Sequence, residues 1–121
     1  MAQSANKLID EAPATPAGVI DRGHLARMTL GDRALEREVL QLFDRQADLL
    51  LARMRDGAAS AVKTLAHTLK GSAAGIGASG VAQAAAAVEQ AENAAERDLT
   101  LGRLATTIAA ARAEIAELLR D

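Results

Sequence analysis

Alanine fills 30 of the 121 positions, whereas a single residue, Phe43, is aromatic. An alanine share of roughly a quarter is about three times ordinary usage. Its companions are leucine, arginine and glutamate, with few of the β-branched and aromatic side chains from which strands are built. Such a chain is predicted to be all-α. The length suits one compact unit that buries its core without disulfide or metal staples, and two domains would each be starved of core.

The same composition excludes several kinds of chemistry. With no cysteine, there is no disulfide framework, no CxxC redox pair, no thiolate zinc site and no cysteine nucleophile. The formal charge is −2 and aromatic platforms are lacking, which argues against nucleic acid as a partner. Residues 1–7 lack the apolar run of a secretory signal, and no stretch of about 18 apolar residues is present to span a bilayer. The expectation is a soluble cytoplasmic protein without membrane association.

Residues 1–18 hold both prolines and show no periodicity, so they read as a flexible N-terminal tail preceding one domain over 19–121. A short first helix is predicted from Val19 to Leu30, with Asp21 as N-cap and Leu25 and Met28 on its apolar side, ending near Gly31. Asp32 can cap a long second helix running to Gly57, with Leu35, Val39, Leu42, Phe43, Leu49 and Leu50 expected in the core. A second, partial stripe of Leu40, Ala47, Leu51 and Met54 is left for the first helix or a partner to cover. The third helix starts near Ala58 and carries Val62, Leu65, Ala66, Leu69, Ala73 and Ile76. Gly75, Gly77 and Gly80 then read as turn residues. A fourth helix is predicted over Ser79–Ala95 with Val81, Ala84, Ala85, Val88 and Ala91 inward. A fifth follows over Thr100–Leu119 with Leu101, Leu104, Ile108, Ala111, Ile115 and Leu118 inward.

Short connections between long helices favour antiparallel neighbours. The expected architecture is therefore an antiparallel up-down-up-down four-helix bundle with a short additional N-terminal helix. Small side chains on helices three and four would let them approach near the 8 Å end of the usual 8–10 Å range. In a hairpin turning near Ala78, facing residues have numbers that sum to about 156. This pairs Leu69 with Val88, Val62 with Ala95 and His67 with Glu89.

The most informative stretch is Ala66–Ala74. His67 lies roughly 150° from the centre of the apolar stripe of the third helix and should be accessible. Lys63 and Lys70 flank it at i−4 and i+3, and the small residues Ser60, Gly71 and Ala74 share its face. Glycine in a helix interior costs up to about 1 kcal/mol relative to alanine, so Gly71 calls for a reason such as the close approach of another molecule. The lysines have the charge to neutralise a phosphoryl group on the imidazole. A Glu89 carboxylate that accepts a hydrogen bond from one ring nitrogen would leave the other unprotonated and nucleophilic. His24, beside Arg22 and Arg27, reads as surface. The two histidines are far apart in sequence and no HExxH pattern occurs, so no metal site is expected.

The run His67-Thr68-Leu69-Lys70-Gly71-Ser72 resembles the H-x-L-K-G-S/A signature of histidine-containing phosphotransfer (HPt) domains of two-component phosphorelays. The resemblance continues through Ala73, Gly77 and Glu89 and covers about residues 33–119. It implies that His67 is the phosphoacceptor, Lys70 its charge partner, Gly71 the clearance for an incoming receiver domain, and Glu89 the orienting acceptor. Lys63 and Ala74 are further candidate contacts that the signature does not include. The Gly57-Ala58-Ala59 turn departs from relatives, which commonly carry an acidic residue there. The implied activity is that of a phosphocarrier without kinase activity of its own. It would work as a monomer, with no intrinsic cofactor, and with Mg²⁺ supplied by the partner. The implied partners are response-regulator receiver domains and a hybrid histidine kinase. Two alternatives are a non-catalytic helical adaptor and a fragment like the dimerisation domain of a histidine kinase. The latter typically carries a proline five residues after its histidine, where Ser72 stands here.

Overall fold

The computed structural model describes residues 20–120, so the predicted tail over 1–18 lies outside the described residues. Five helices follow one another: α1 (Arg22–Met28), α2 (Arg33–Asp56), α3 (Ala59–Ile76), α4 (Ser79–Gln90) and α5 (Ala94–Arg120). Helices α2 to α5 form a closed ring in which α3 neighbours α2 and α4, and α5 neighbours α4 and α2; α1 rests on α3. This is the expected four-helix bundle with one short extra helix.

Local chemistry fixes most boundaries. Asp21 and Asp32 cap α1 and α2, their carboxylates accepting from the backbone N–H of His24 at 3.0 Å and of Leu35 at 3.1 Å. The end of α3 is a Schellman arrangement: Gly77 sits at φ 85°, its N–H reaches Ala74 O, and Ala78 N–H reaches Ala73 O at 2.8 Å. Gly77 is needed for a second reason. A Cβ there would lie 2.9 Å from the carbonyl oxygen of Asp21, whose own N–H donates to Gly77 O at 2.9 Å. The start of α1 is thus laid directly against the α3–α4 turn. Of the three glycines expected in that turn, only Gly77 makes it; Gly75 belongs to α3 and Gly80 to α4.

The core runs along the bundle axis. Val62, Ala66, Leu69, Ala73 and Ile76 of α3 meet Val81, Ala85 and Val88 of α4 and Leu104, Ile108, Ala111 and Ile115 of α5. Burying a side chain of the size of Leu69 or Leu104 contributes about 1.5–3 kcal/mol. On α2 the structure bears out Phe43 and Leu50 as core, with Val39 partly buried against it, but moves Leu35, Leu42 and Leu49 outside and brings the second stripe, Leu40, Ala47, Leu51 and Met54, into the core. Leu40, Phe43, Ala47, Leu50, Leu51 and Met54 are buried, whereas Leu35, Leu42 and Leu49 are 40%, 60% and 51% exposed. The residues 40, 43, 47, 50 and 54 step 3-4-3-4, the spacing of a seam held against neighbours on both sides. Leu35, Leu42 and Leu49 step by seven alone, with Gln46 and Arg53 interleaved, and fall on the flank of α2.

Three further expectations are corrected. Helix α4 stops at Gln90 rather than Ala95, and α5 starts at Ala94 rather than Thr100, because Asn93 accepts from Glu96 N–H at 2.8 Å while the Glu96 carboxylate accepts from Glu92 N–H at 2.8 Å. Ala95 is therefore an exposed residue of α5 and not a partner of Val62. Met28 is 56% exposed, leaving Leu25 to anchor α1. His24 is half-buried, and its Nε2 lies 3.0 Å from Gly75 O. A carbonyl only accepts, so that nitrogen carries the proton and donates.

Candidate functional site

The site lies on the outer face of the α3–α4 hairpin, where the antiparallel register sets opposing side chains at matched heights. His67 projects from mid-α3 with its side chain 66% exposed. Its Nδ1 lies 2.8 Å from Glu89 Oε2 on α4, the pair anticipated from the hairpin sum. Lys70 Nζ forms an ion pair with the other carboxylate oxygen, Oε1, at 2.9 Å. One carboxylate, 23% exposed, therefore bridges an imidazole and an ammonium.

The electrostatics follow. The Lys70 ammonium and then the His67 ring hold the Glu89 carboxyl below its ordinary value of 4.5, outweighing the opposing effect of partial desolvation. Glu89 is therefore ionised at neutral pH. An ionised carboxylate only accepts, so in the neutral ring the proton sits on Nδ1 and Nε2 keeps its lone pair. Among the described residues His67 Nε2 has no partner, in contrast to Nε2 of His24, which is engaged by Gly75.

The other candidates fall on two sides of the imidazole. Lys63 points toward α4, where its ammonium donates to Glu89 O at 2.7 Å and Ala91 O at 2.8 Å. Gly71 and Ala74 continue the ridge beyond His67, both exposed. A Cβ built on Gly71 meets nothing within 4 Å, so packing inside the chain does not require glycine there. Lys63, Thr64, His67, Thr68 and Glu89 line one shallow depression. The Thr64 and Thr68 hydroxyls donate back to Ser60 O and Thr64 O, each at 3.2 Å.

On the α2 side of the ridge the structure adds Leu42 and Leu49, which are expected in the core and are exposed instead. Val39, Leu42, Phe43 and Gln46 of α2 meet Ser72 and Ile76 of α3 along a shallow cleft, and Leu49 extends this exposed apolar strip along α2. The bare seven-residue step on α2, set against the 3-4-3-4 seam, is the signal that identifies Leu42 and Leu49. Among the described residues no group of three or more His, Cys, Asp or Glu side chains is placed to hold a metal ion, and no helix is long and apolar enough to cross a membrane.

Comparison with known proteins adds the family. Searches of curated proteins and of solved structures returned no match. The family profile described as the Hpt domain matches residues 33–120, from the first residue of α2 to the last of α5, leaving α1 outside the match. Hpt domains are helical phosphocarriers of two-component signalling that interact with receiver domains. With that profile covering well over half of the chain, the protein belongs to the Hpt-domain family.

Proposed function

We propose that His67 accepts a phosphoryl group from the aspartyl phosphate of one receiver domain and passes it to the aspartate of another. The observation that carries this reading is the Nδ1–Glu89 contact at 2.8 Å, which leaves Nε2 as the exposed, unprotonated nitrogen. In the forward step the Nε2 lone pair attacks phosphorus and an N–P bond forms. The P–O bond to the donor aspartate breaks, and that residue leaves as a carboxylate. The proton on Nδ1 stays between the ring and Glu89, whose negative charge stabilises the positive ring of the phosphohistidine. The reverse step uses an incoming carboxylate as nucleophile.

This chain supplies orientation and local charge, and the receiver supplies its acidic pocket and Mg²⁺. Lys70, shared with Glu89 at rest, is within reach of phosphoryl oxygens on the same face. The receiver docks over Gly71 and Thr68 and onto the exposed Leu42 and Leu49, with Gln46 and Arg53 at the edge. The bare Cβ position of Gly71 supports this, since its glycine has no explanation within the chain. The adaptor alternative explains neither the free Nε2 nor Gly71.

The test is transfer of acid-labile label from a panel of phosphorylated receiver domains to the wild type, His67→Gln and His24→Gln. Label is expected on the wild type and on His24→Gln, and none on His67→Gln. Equal labelling of His67→Gln overturns the reading.

A further inference from the structure

We infer that Lys63 is a positioning residue for the phosphoacceptor, acting through Glu89 and not by touching phosphate. The inference rests on the phosphotransfer reading for its consequence, but its physical basis lies in the unphosphorylated protein.

Helix α4 ends abruptly at Gln90, one residue after Glu89. It has no basic residue in its last turn, and its cap, Ala91, is in an extended conformation with a single N–H bond to Val88 O. The last carbonyls of a helix lack intrahelical donors and carry the negative end of its dipole. Lys63, from the neighbouring helix, fills that role: its ammonium takes Glu89 O at 2.7 Å and Ala91 O at 2.8 Å. Two of its three donors are thereby committed to the backbone of α4.

Lys63 and His67 are one turn apart on α3, and Glu89 is held from both. Lys63 holds its main-chain carbonyl, and His67 meets its carboxylate. The ammonium thus fixes the height of the Glu89 backbone relative to the imidazole. Without that tie, the backbone of the terminal turn of α4 loses the ammonium that joins it to α3, and the carboxylate loses its fixed distance from Nδ1. The Lys70 contact does not replace the tie, because it holds the mobile end of the same side chain and not its backbone.

The experiment records imidazole ¹⁵N shifts of His67 in the full-length, unphosphorylated chain for wild type, Lys63→Met and Lys63→Arg, alongside receiver affinity and transfer rate. Wild type and Lys63→Arg are expected to show the Nδ1–H tautomer. Lys63→Met is expected to drift toward the mixture of a solvent-exposed imidazole and to transfer severalfold more slowly at unchanged receiver affinity. Should Lys63→Met not fold, Lys63→Ala gives the same readout with no donor retained. An unchanged tautomer in the neutral variant overturns the proposal, whether stability falls, which marks a simple helix cap, or phosphohistidine lifetime changes, which marks a phosphate contact. A tautomer shift in a protein whose wild type takes no label from any receiver keeps the positioning role and rejects the phosphotransfer reading.

Discussion

Replacing Leu42 and Leu49 together by alanine separates docking from folding. Their side chains are about half exposed, at 60% and 51%, whereas Leu40 and Met54 on the same helix are 3% and 1% exposed. Complete burial of a leucine side chain is worth about 1.5–3 kcal/mol, so the half still open to a partner is worth about 1 kcal/mol per residue. The pair then contributes about 2 kcal/mol to receiver docking, a loss of roughly 10- to 30-fold in Kd on substitution. The stability cost to the free protein is expected below about 1 kcal/mol, because alanine is the better helix former and little packing is removed. Leu40→Ala or Met54→Ala is expected to cost about 2–5 kcal/mol in stability through the cavity left behind. Denaturant unfolding and calorimetric titration against a receiver that phosphorylates the chain measure both quantities. If the Leu42/Leu49 double variant unfolds as readily as Met54→Ala, the assignment of the two stripes is wrong. If it binds the receiver with wild-type affinity, the docking face lies elsewhere.

Other perturbations have equally definite outcomes. Gly71→Ala adds a Cβ to open space inside a helix and should stabilise the fold by up to about 1 kcal/mol while slowing transfer; faster or unchanged transfer removes the clearance argument. Gly77→Ala forces a side chain into the left-handed region and within 2.9 Å of Asp21 O, so a loss of about 1–2 kcal/mol or more is expected in thermal unfolding. For Glu89 the folded-state pKa is depressed, so its contribution to stability is complete above the ordinary value of 4.5 and is lost as the pH falls through the lower folded value. The stability difference between wild type and Glu89→Gln should therefore be flat near neutrality and shrink only below about pH 4.5. A difference that fades already between pH 7 and 6 contradicts the depressed carboxyl.

Much of the site was legible because it depends on register alone. A short hairpin fixes which residues of α3 and α4 face one another, and that arithmetic alone joins His67 to Glu89. Gly71 is legible for a different reason, as a residue of poor helix propensity inside a helix with no internal cause. What remained hidden depended on competition between equally apolar alternatives. Helix α2 offers two apolar stripes, and the one holding Leu40, Ala47, Leu51 and Met54 reads as the outer one; only the 3-4-3-4 spacing of Leu40, Phe43, Ala47, Leu50 and Met54 distinguishes the face that meets two neighbours. The α4–α5 junction was misplaced because alanine continues a helix through any boundary, so the decisive signal was the polar pair Asn93 and Glu96. The half-buried His24 and the Lys63 tie were invisible for a third reason. Both bond to backbone carbonyls, of Gly75 and of Glu89 and Ala91, which no side-chain pattern announces.

The most direct measurement is to phosphorylate the protein through a receiver domain and identify the modified atom by coupled ¹⁵N and ³¹P magnetic resonance. The N–P bond is expected at Nε2 of His67, with Nδ1 still protonated and bonded to Glu89. Phosphate on Nδ1 of His67, on His24, or on no histidine at all contradicts the proposed mechanism.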